Sequence, residues 1–329
     1  MEFSFDEKYM WRALQLAKSG RGNVSPNPMV GAVIVANGKI IGEGFHRRYG
    51  EGHAEVNAVA SVSAADRHLL KESTIYVTLE PCSHYGKTPP CSKLIIDNEI
   101  PNIVIGASDP FKEVSGRGIK MLRDAGRNVI VGILEKECIR LNEHFFTAHT
   151  QKRPFILLKW AESLDGYIDR ERGCNETPTI FSTPATTALC HKLRSEYNAI
   201  MIGAGTARLD KPSLTVRKWC GRNPLRVVVS RSGYTPTGAL ALTDADTLVY
   251  TAKTLQEICS DLYSKGITSL MVEGGAELLG SFLEEGLWDK VRVEQAPVIL
   301  GNGIKAPVKP QGAITETSAG KNKILEILK

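Results

Sequence analysis

The sequence predicts two α/β domains in tandem, one over residues 1–147 and one over 148–329. Three observations predict this. Apolar, β-rich runs alternate with segments of helical spacing along the whole chain. A polar stretch from Glu143 to Arg153 ends at Pro154 and separates two such series. The chain's 329 residues are long for one compact core and natural for two.

Asp6 is placed to cap a first helix running to about Ser19, with Met10, Ala13, Leu14 and Ala17 on one face. Asn27-Pro28-Met29-Val30-Gly31 reads as a loop leading into the apolar run Ala32 to Ala36. Asn37-Gly38 is a two-residue hairpin signal, and Lys39 to Phe45 is the returning strand. His53 opens a helix over Ala54 to about Ala64. Thr74 to Leu79 is a strand that delivers Glu80-Pro81-Cys82 to its carboxyl end, where open α/β sheets place ligands. Pro89-Pro90 opens a helix carrying Cys91, with proline at a tolerated position. Strands over Asn102 to Ala107 and Asn128 to Gly132 flank a helix over Arg117 to Ala125. The expected result is a mixed sheet sandwiched by helices.

The second half reads as strands over Phe155 to Trp160, Ala199 to Ile202, Leu225 to Val229, Thr247 to Thr251 and Ser269 to Glu273. Helices are expected over Pro184 to Tyr197, Leu255 to Ser264 and from Ala276 to about Glu285. Strand, Gly274-Gly275, helix suits an anionic cofactor, because glycines admit the ligand and the helix end offers amides. It also reads as an ordinary tight turn. The G-x-G-x-x-G fingerprint is not matched, so a Rossmann domain is not expected. The residues after about Gly301 carry no signal of their own.

Composition narrows the function. Apolar content of 42% and charged content of 23% describe an ordinary soluble chain. The start has neither a basic n-region nor an apolar h-region, and no run approaches the roughly 18 to 20 apolar residues of a membrane span. Seven scattered cysteines do not form a disulfide framework and point to a reducing cytoplasm. The net charge of +5 comes without a Lys/Arg run. That argues against a nucleic-acid or membrane partner and suits a small anionic substrate. A homo-oligomer is left open.

The chemistry concentrates in His53-Ala54-Glu55 and the block from Pro81 to Cys91. A neutral imidazole and two thiolates, His53, Cys82 and Cys91, can hold Zn²⁺ on three sides and leave a fourth open for water. The metal lowers the pKa of such water to about 7. Glu55 can then carry protons without being a ligand. The general zinc-deaminase pattern is H-x-E with P-C-x-x-C. Here eight residues separate the cysteines, and Gly86, Pro89 and Pro90 suit a loop that brings both to one metal. The alternative is a closed structural site with His84 as fourth ligand, which has no use for Glu55. Asn27 is either a turn residue or an amide that hydrogen-bonds a heterocycle. His46, His84 and Lys87 are either solvated loop residues or substrate contacts, with Lys87 suited to a phosphate.

These motifs together resemble the bifunctional deaminase/reductase family of riboflavin biosynthesis, over about residues 5 to 300. The first half carries Asn27-Pro28-Met29-Val30-Gly31, His53-Ala54-Glu55 and the block ending Thr88-Pro89-Pro90-Cys91, whose wide cysteine spacing matches this family. The second half carries Ser163-Leu164-Asp165-Gly166, Thr206, Asp210, Leu214-Thr215-Val216-Arg217 and Val272-Glu273-Gly274-Gly275. The resemblance implies a cytidine-deaminase-like three-layer α/β/α first domain and a dihydrofolate-reductase-like second domain. It implies a phosphorylated pyrimidine substrate, 2,5-diamino-6-ribosylamino-4(3H)-pyrimidinone 5′-phosphate, that loses its 2-amino group. NADPH then reduces the ribosyl chain of the product to ribityl. By the same resemblance, Ala161, Thr206, Asp210 and the turn-helix Gly275, Ala276, Glu277, Leu278 and Leu279 contact NADPH, while Arg194, Leu214, Arg217 and Glu273 contact substrate. Two places depart. Pro178 and Ile180 stand where a small polar residue and an aromatic are common, so no contact is carried over there. Arg231 stands where a small polar residue is common, and is expected to pair with the 2′-phosphate of NADPH. The rival readings are a nucleic-acid-editing deaminase, which needs a basic channel, a deaminase with a decayed reductase half, and a zinc-stabilised scaffold.

Overall fold

The computed structural model describes residues 5–85, 89–111, 115–173, 176–235 and 246–329. The chain forms two compact units, Met1–Gln151 and Lys152–Lys329.

In the first unit, Asp6 accepts a hydrogen bond from the Lys8 amide and starts α1 (Glu7–Lys18). The apolar face read from its spacing is the buried one: Met10, Ala13, Leu14 and Ala17. Strands β1 (Gly31–Ala36) and β2 (Lys39–Phe45) form the expected hairpin. Asn37 and Gly38 have φ of 51° and 72°, the left-handed backbone that a two-residue turn matching strand twist requires. The helix after His53, α2, is shorter than its pattern suggested and ends at Ser61. Strand β3 (Thr74–Leu79), helix α3 (Cys91–Asp97), strand β4 (Asn102–Ala107), helix α4 (Arg117–Asp124) and strand β5 (Asn128–Val131) follow. The sheet order is β2-β1-β3-β4-β5, antiparallel on one side and parallel from β3 to β5.

Both faces of this sheet are covered. Ile34, Ile75 and Ile103 pack toward α2, α3 and α4, while Val33, Tyr76 and Val104 pack toward α1. The second layer is completed by α5 (Glu135–Leu141) and α6 (Glu143–Gln151). The polar stretch taken from sequence as a boundary is therefore mostly helix. Its Phe145 and Phe146 supply the apolar face that the flanking polar residues concealed.

The second unit holds an eight-stranded sheet, order β10-β9-β8-β11-β6-β12-β15-β14. Its strands are β6 (Phe155–Glu162), β8 (Ala199–Gly203), β9 (Leu225–Ser230), β10 (Thr247–Thr251), β11 (Ser269–Gly274), β12 (Lys290–Gln295), β14 (Ala313–Ala319) and β15 (Asn322–Leu328). The first six are parallel, and β15 and β14 extend the sheet antiparallel. Short strands β7 (Tyr167–Asp169) and β13 (Ile304–Lys305) pair separately. One face packs on α9 (Leu255–Ser264) and α10 (Ala276–Glu284) through Ile258, Leu262 and Phe282. The other packs on α7 (Pro184–Glu196) and α8 (Ala204–Asp210) through Leu193, Tyr197 and Ala207. β12 and the C-terminal hairpin were not read from sequence. β14 is exposed at nearly every position, so it lacks the alternation that marks a half-buried strand.

Glycine is needed where α1 crosses β1. A Cβ on Gly31 would stand 2.0 Å from the Ala13 carbonyl oxygen, which belongs to the helix backbone and cannot yield. Gly31→Ala should therefore destabilise the first unit by about 3 kcal/mol, the upper end for overpacking. The urea midpoint of that unit measures it.

Candidate metal centre and glycine cradle

Three elements build the first site. His53 is the extended residue that precedes α2, with φ −69° and ψ 170°. Cys82 lies in the loop after β3, and Cys91 is the first residue of α3. His53 Nδ1 is 3.6 Å from Cys82 Sγ and 3.4 Å from Cys91 Sγ. All three donor atoms lie within 4.8 Å of one another. One nitrogen and two sulfurs fit a three-ligand zinc site with an open position. The Cys91 amide donates to Cys82 Sγ at 3.2 Å, as a helix N-terminus facing a thiolate should. A hydrogen bond from the Cys91 thiol, aided by His53, holds the Cys82 thiol well below its usual range. That same bond, with burial, holds the Cys91 thiol above its own.

Glu55 lies one residue into α2 and is 3% exposed. Burial, with Cys82 adding, pushes its carboxyl up to about 7. His46 is buried, accepts through Nε2 from Asn27 Nδ2 at 3.3 Å, and sets its ring edge-on to His53 at 5.5 Å. Asn27, His46, His53 and Glu55 are thus brought to one place. His84 is exposed in the loop after Cys82. Lys87 lies outside the described residues.

Two supporting side chains were not read from sequence. Buried Asn142 grips the backbone of Met29 from both sides, donating to its carbonyl and accepting from its amide at 2.8 Å each. This fixes the loop that carries Asn27. Buried Glu80 accepts four backbone amides: Gly118 and Ile119 at 3.0 and 3.3 Å, and Asp109 and Gly116 at 3.2 and 3.0 Å. It holds the start of α4 against Pro81, where a Cβ on Gly118 would meet the Pro81 carbonyl at 2.0 Å. No local pattern announces either contact, because the partners are 113 and at least 29 residues away.

The second site lies at the carboxyl ends of β6, β8 and β11. Gly275 has φ 72° and its Cβ would stand 3.2 Å from Thr206 Oγ1; a Cβ on Gly274 would stand 2.8 Å from Ile202. The backbone here forms a cradle at the start of α10 that side chains would fill, which fits a cofactor carrying phosphates. Ala276, Glu277 and Leu278 follow on the first turn, and Ala161 lies near the end of β6. Leu279 is committed elsewhere: its side chain is in the core and its amide donates to the Gly275 carbonyl. Asp210 ion-pairs with Arg172, which also holds Asp169 at 2.6 Å. Arg231 pairs with Glu277 at 2.5 Å, and both side chains are largely in solvent.

Beside the cradle, Glu273 accepts from Arg194 at 2.6 Å and from the Cys190 thiol at 2.9 Å, with Lys159 Nζ at 3.8 Å. Burial works to raise the Glu273 carboxyl, but Arg194 and Lys159 outweigh it and hold it at about 2. Arg194 Nε is buried without a hydrogen-bond partner, a donor left for a ligand. Arg217 donates its amide to His191 Nδ1 and its guanidinium to Thr215 Oγ1, both at 3.0 Å. Leu214 is buried with φ 54°, a left-handed backbone unusual for leucine. Arg194, Leu214, Arg217 and Glu273 therefore cluster as expected. Lys159 and Cys190 were missed. Lys159 is a single charge in the apolar run of β6 and reads as a strand-end residue. Ile180, at the aromatic position, is 82% exposed, and neighbouring Thr179 is bound to Asp169.

Comparison with known proteins agrees over both units. Residues 3–107 match the cytidine and deoxycytidylate deaminase zinc-binding region, and residues 154–327 match the RibD C-terminal domain. Riboflavin biosynthesis protein RibD of Aquifex aeolicus is 40% identical, over 91% of this chain and 89% of its own. RibD of Escherichia coli is 34% identical, over 98% and 96%. A diaminohydroxyphosphoribosylaminopyrimidine deaminase/5-amino-6-(5-phosphoribosylamino)uracil reductase from Thermotoga maritima superposes with TM-score 0.87 at 37% identity, covering 98% of both chains.

If Glu80 anchors the Cys82 loop, Glu80→Ala should weaken zinc affinity about tenfold, the lower range for support residues around metal ligands. Competition against a chromophoric chelator measures it.

Proposed function

The chain belongs to the bifunctional deaminase/reductase family of riboflavin biosynthesis, and on that premise we propose which of its residues carry each reaction. The enzyme hydrolyses the 2-amino group from 2,5-diamino-6-ribosylamino-4(3H)-pyrimidinone 5′-phosphate, using zinc. It then reduces the ribosyl chain of 5-amino-6-ribosylaminouracil 5′-phosphate to ribityl with NADPH.

The observation that carries the deaminase assignment is the His53, Cys82, Cys91 donor set with a buried carboxyl on the same helix turn. These three residues would hold the metal. Bound zinc acts as a Lewis acid that makes solvent nucleophilic near neutral pH. Glu55 accepts the proton that solvent loses and passes it to the ring nitrogen, then carries the second proton, from the added hydroxyl, to the amine that departs as ammonia. Asn27 and His46 orient the pyrimidine, with Asn142 behind them. His84 and Lys87, which lie beside the motif in sequence, are assigned to substrate contact, Lys87 as the phosphate candidate.

In the reductase half, Thr206, Gly275, Ala276, Glu277 and Leu278 line the NADPH site, with Ala161 and Asp210 at its edge. Bound NADPH supplies the hydride to the sugar C1′. As the C1′–O bond opens, the ring oxygen needs a proton. Lys159, held beside Glu273 and kept charged, is the donor we assign. Arg194 and Arg217 take the 5′-phosphate, for which guanidinium geometry is suited, and Leu214 shapes that wall. The intact set of Lys159, Glu273 and Arg194 supports a working reductase rather than a decayed one. Among the described residues no helix is long and apolar enough to cross a membrane. The described cysteines are all free, which supports a reducing cytoplasmic location.

Two substitutions test these assignments. Glu55→Gln should keep its zinc, by metal analysis, and lose deamination about 10³-fold, within the range for a general acid–base group. Its reduction of supplied 5-amino-6-ribosylaminouracil 5′-phosphate should be unchanged. Arg231 now shares only a surface ion pair with Glu277, an interaction of low worth that a phosphate can replace. Arg231→Ala should raise the KM for NADPH about tenfold, as for one lost charge-assisted contact, and leave that for NADH unchanged. An unaltered NADPH/NADH preference removes the role.

A further inference from the structure

Glu273 sits between three donors of unequal strength. Arg194 Nη2 donates to Oε2 at 2.6 Å. The other oxygen, Oε1, takes the Cys190 thiol at 2.9 Å and has the Lys159 ammonium at 3.8 Å. All of these side chains lie between β6, β11 and α7, with Lys159 14% and Glu273 8% exposed. An ammonium free to choose would close on a buried carboxylate to full ion-pair distance, because charge-assisted hydrogen bonds shorten to about 2.8 Å. Lys159 stops about an ångström short, while the thiol takes one acceptor site of the oxygen it faces. We propose that Cys190 is a positioning residue of the reductase: its thiol binds Glu273 Oε1, the oxygen that Arg194 leaves open, and holds that carboxylate in place beside Lys159.

The choice of cysteine has a physical basis. Its thiol is a weak donor, so it satisfies the oxygen without competing with Arg194 for the carboxylate's orientation. Burial pushes that thiol up to about 11, so near neutral pH it has a proton to donate and adds no second negative charge. Lys159 stays charged in a buried place yet keeps donors free for the sugar ring oxygen. Neighbouring His191 is not part of this contact, since its Nδ1 accepts the Arg217 amide. The nearby charged groups are Arg194 on α7, Lys159 on β6, Glu273 on β11 and Glu294 on β12. Glu294 is already bound by Ser182 and Asn322. The proposal rests on the assignment of Glu273 and Lys159 to the reductase above.

The test uses the full-length enzyme and 5-amino-6-ribosylaminouracil 5′-phosphate. Cys190→Val keeps the volume and removes the donor; Cys190→Ser keeps a donor. The kcat for reduction should fall about tenfold in Cys190→Val, the loss of one hydrogen bond to a charged group. The KM for NADPH should stay within about twofold, and Cys190→Ser should restore most of the rate. Independently, the S–H infrared stretch of Cys190, taken as the difference between wild type and Cys190→Val, should lie below that of a free thiol. A wild-type rate in Cys190→Val, an equal loss in Cys190→Ser, or a free-thiol frequency overturns the proposal. Glu273→Gln separates the two levels. If it reduces normally, the assignment of Glu273 fails; if it is inactive while Cys190→Val is normal, only the role of Cys190 fails.

Discussion

A carboxylate buried in this protein stays charged only if its oxygens are filled by donors, and both active regions are built on that constraint. Water is a better host for the ion than a protein interior, so each buried acid must recover its lost hydration through hydrogen bonds. Glu80 does so with four backbone amides, and the cost of that ordering shapes the loop before Cys82. Glu273 does so with Arg194 and Cys190, with the Lys159 ammonium 3.8 Å away. Glu162, fully buried, takes Trp160, Gln295 and Lys309. Glu55 is the contrast. It is as deeply buried, but burial outweighs its partners and its carboxyl rises to about 7. An acid held so can accept a proton and release it near neutral pH.

The same sheet logic serves both units. Parallel strands point their carboxyl ends in one direction, so the loops that follow them collect at one edge. In the first unit β3 delivers Cys82 there and α2 and α3 bring His53 and Cys91 at their starts. In the second, β6, β8 and β11 deliver Ala161, the start of α8 and the Gly274-Gly275 turn. Helix starts supply amides at both places. In the first unit the start of α3 faces the Cys82 sulfur.

Much of this was legible from residues in order. The Asn37-Gly38 hairpin, the capped first helix and the strand entering Glu80-Pro81-Cys82 obey local rules, and they appear as read. The His53, Glu55, Cys82 and Cys91 set was legible because metal chemistry restricts both the residue types and their neighbours. The failures are equally specific. Leu279, counted with the cofactor turn, has its side chain in the core, one turn along α10 from the cradle. Helix α6 was hidden by its polar composition, and β14 by its exposure on both faces.

By itself, then, the amino-acid order determined the class of both domains and picked out His53, Cys82 and Cys91, which the fold gathers, with Glu55 beside them. Only the folded chain decided which side chains support those groups: Asn142 across the Asn27 loop, Glu80 under Cys82, Cys190 and Lys159 against Glu273. The reason is range. A cap, a hairpin or a ligand spacing is set by atoms a few bonds apart, whereas a buried hydrogen bond is set by whichever donor the packing brings within about 3 Å, however far away it lies in the chain.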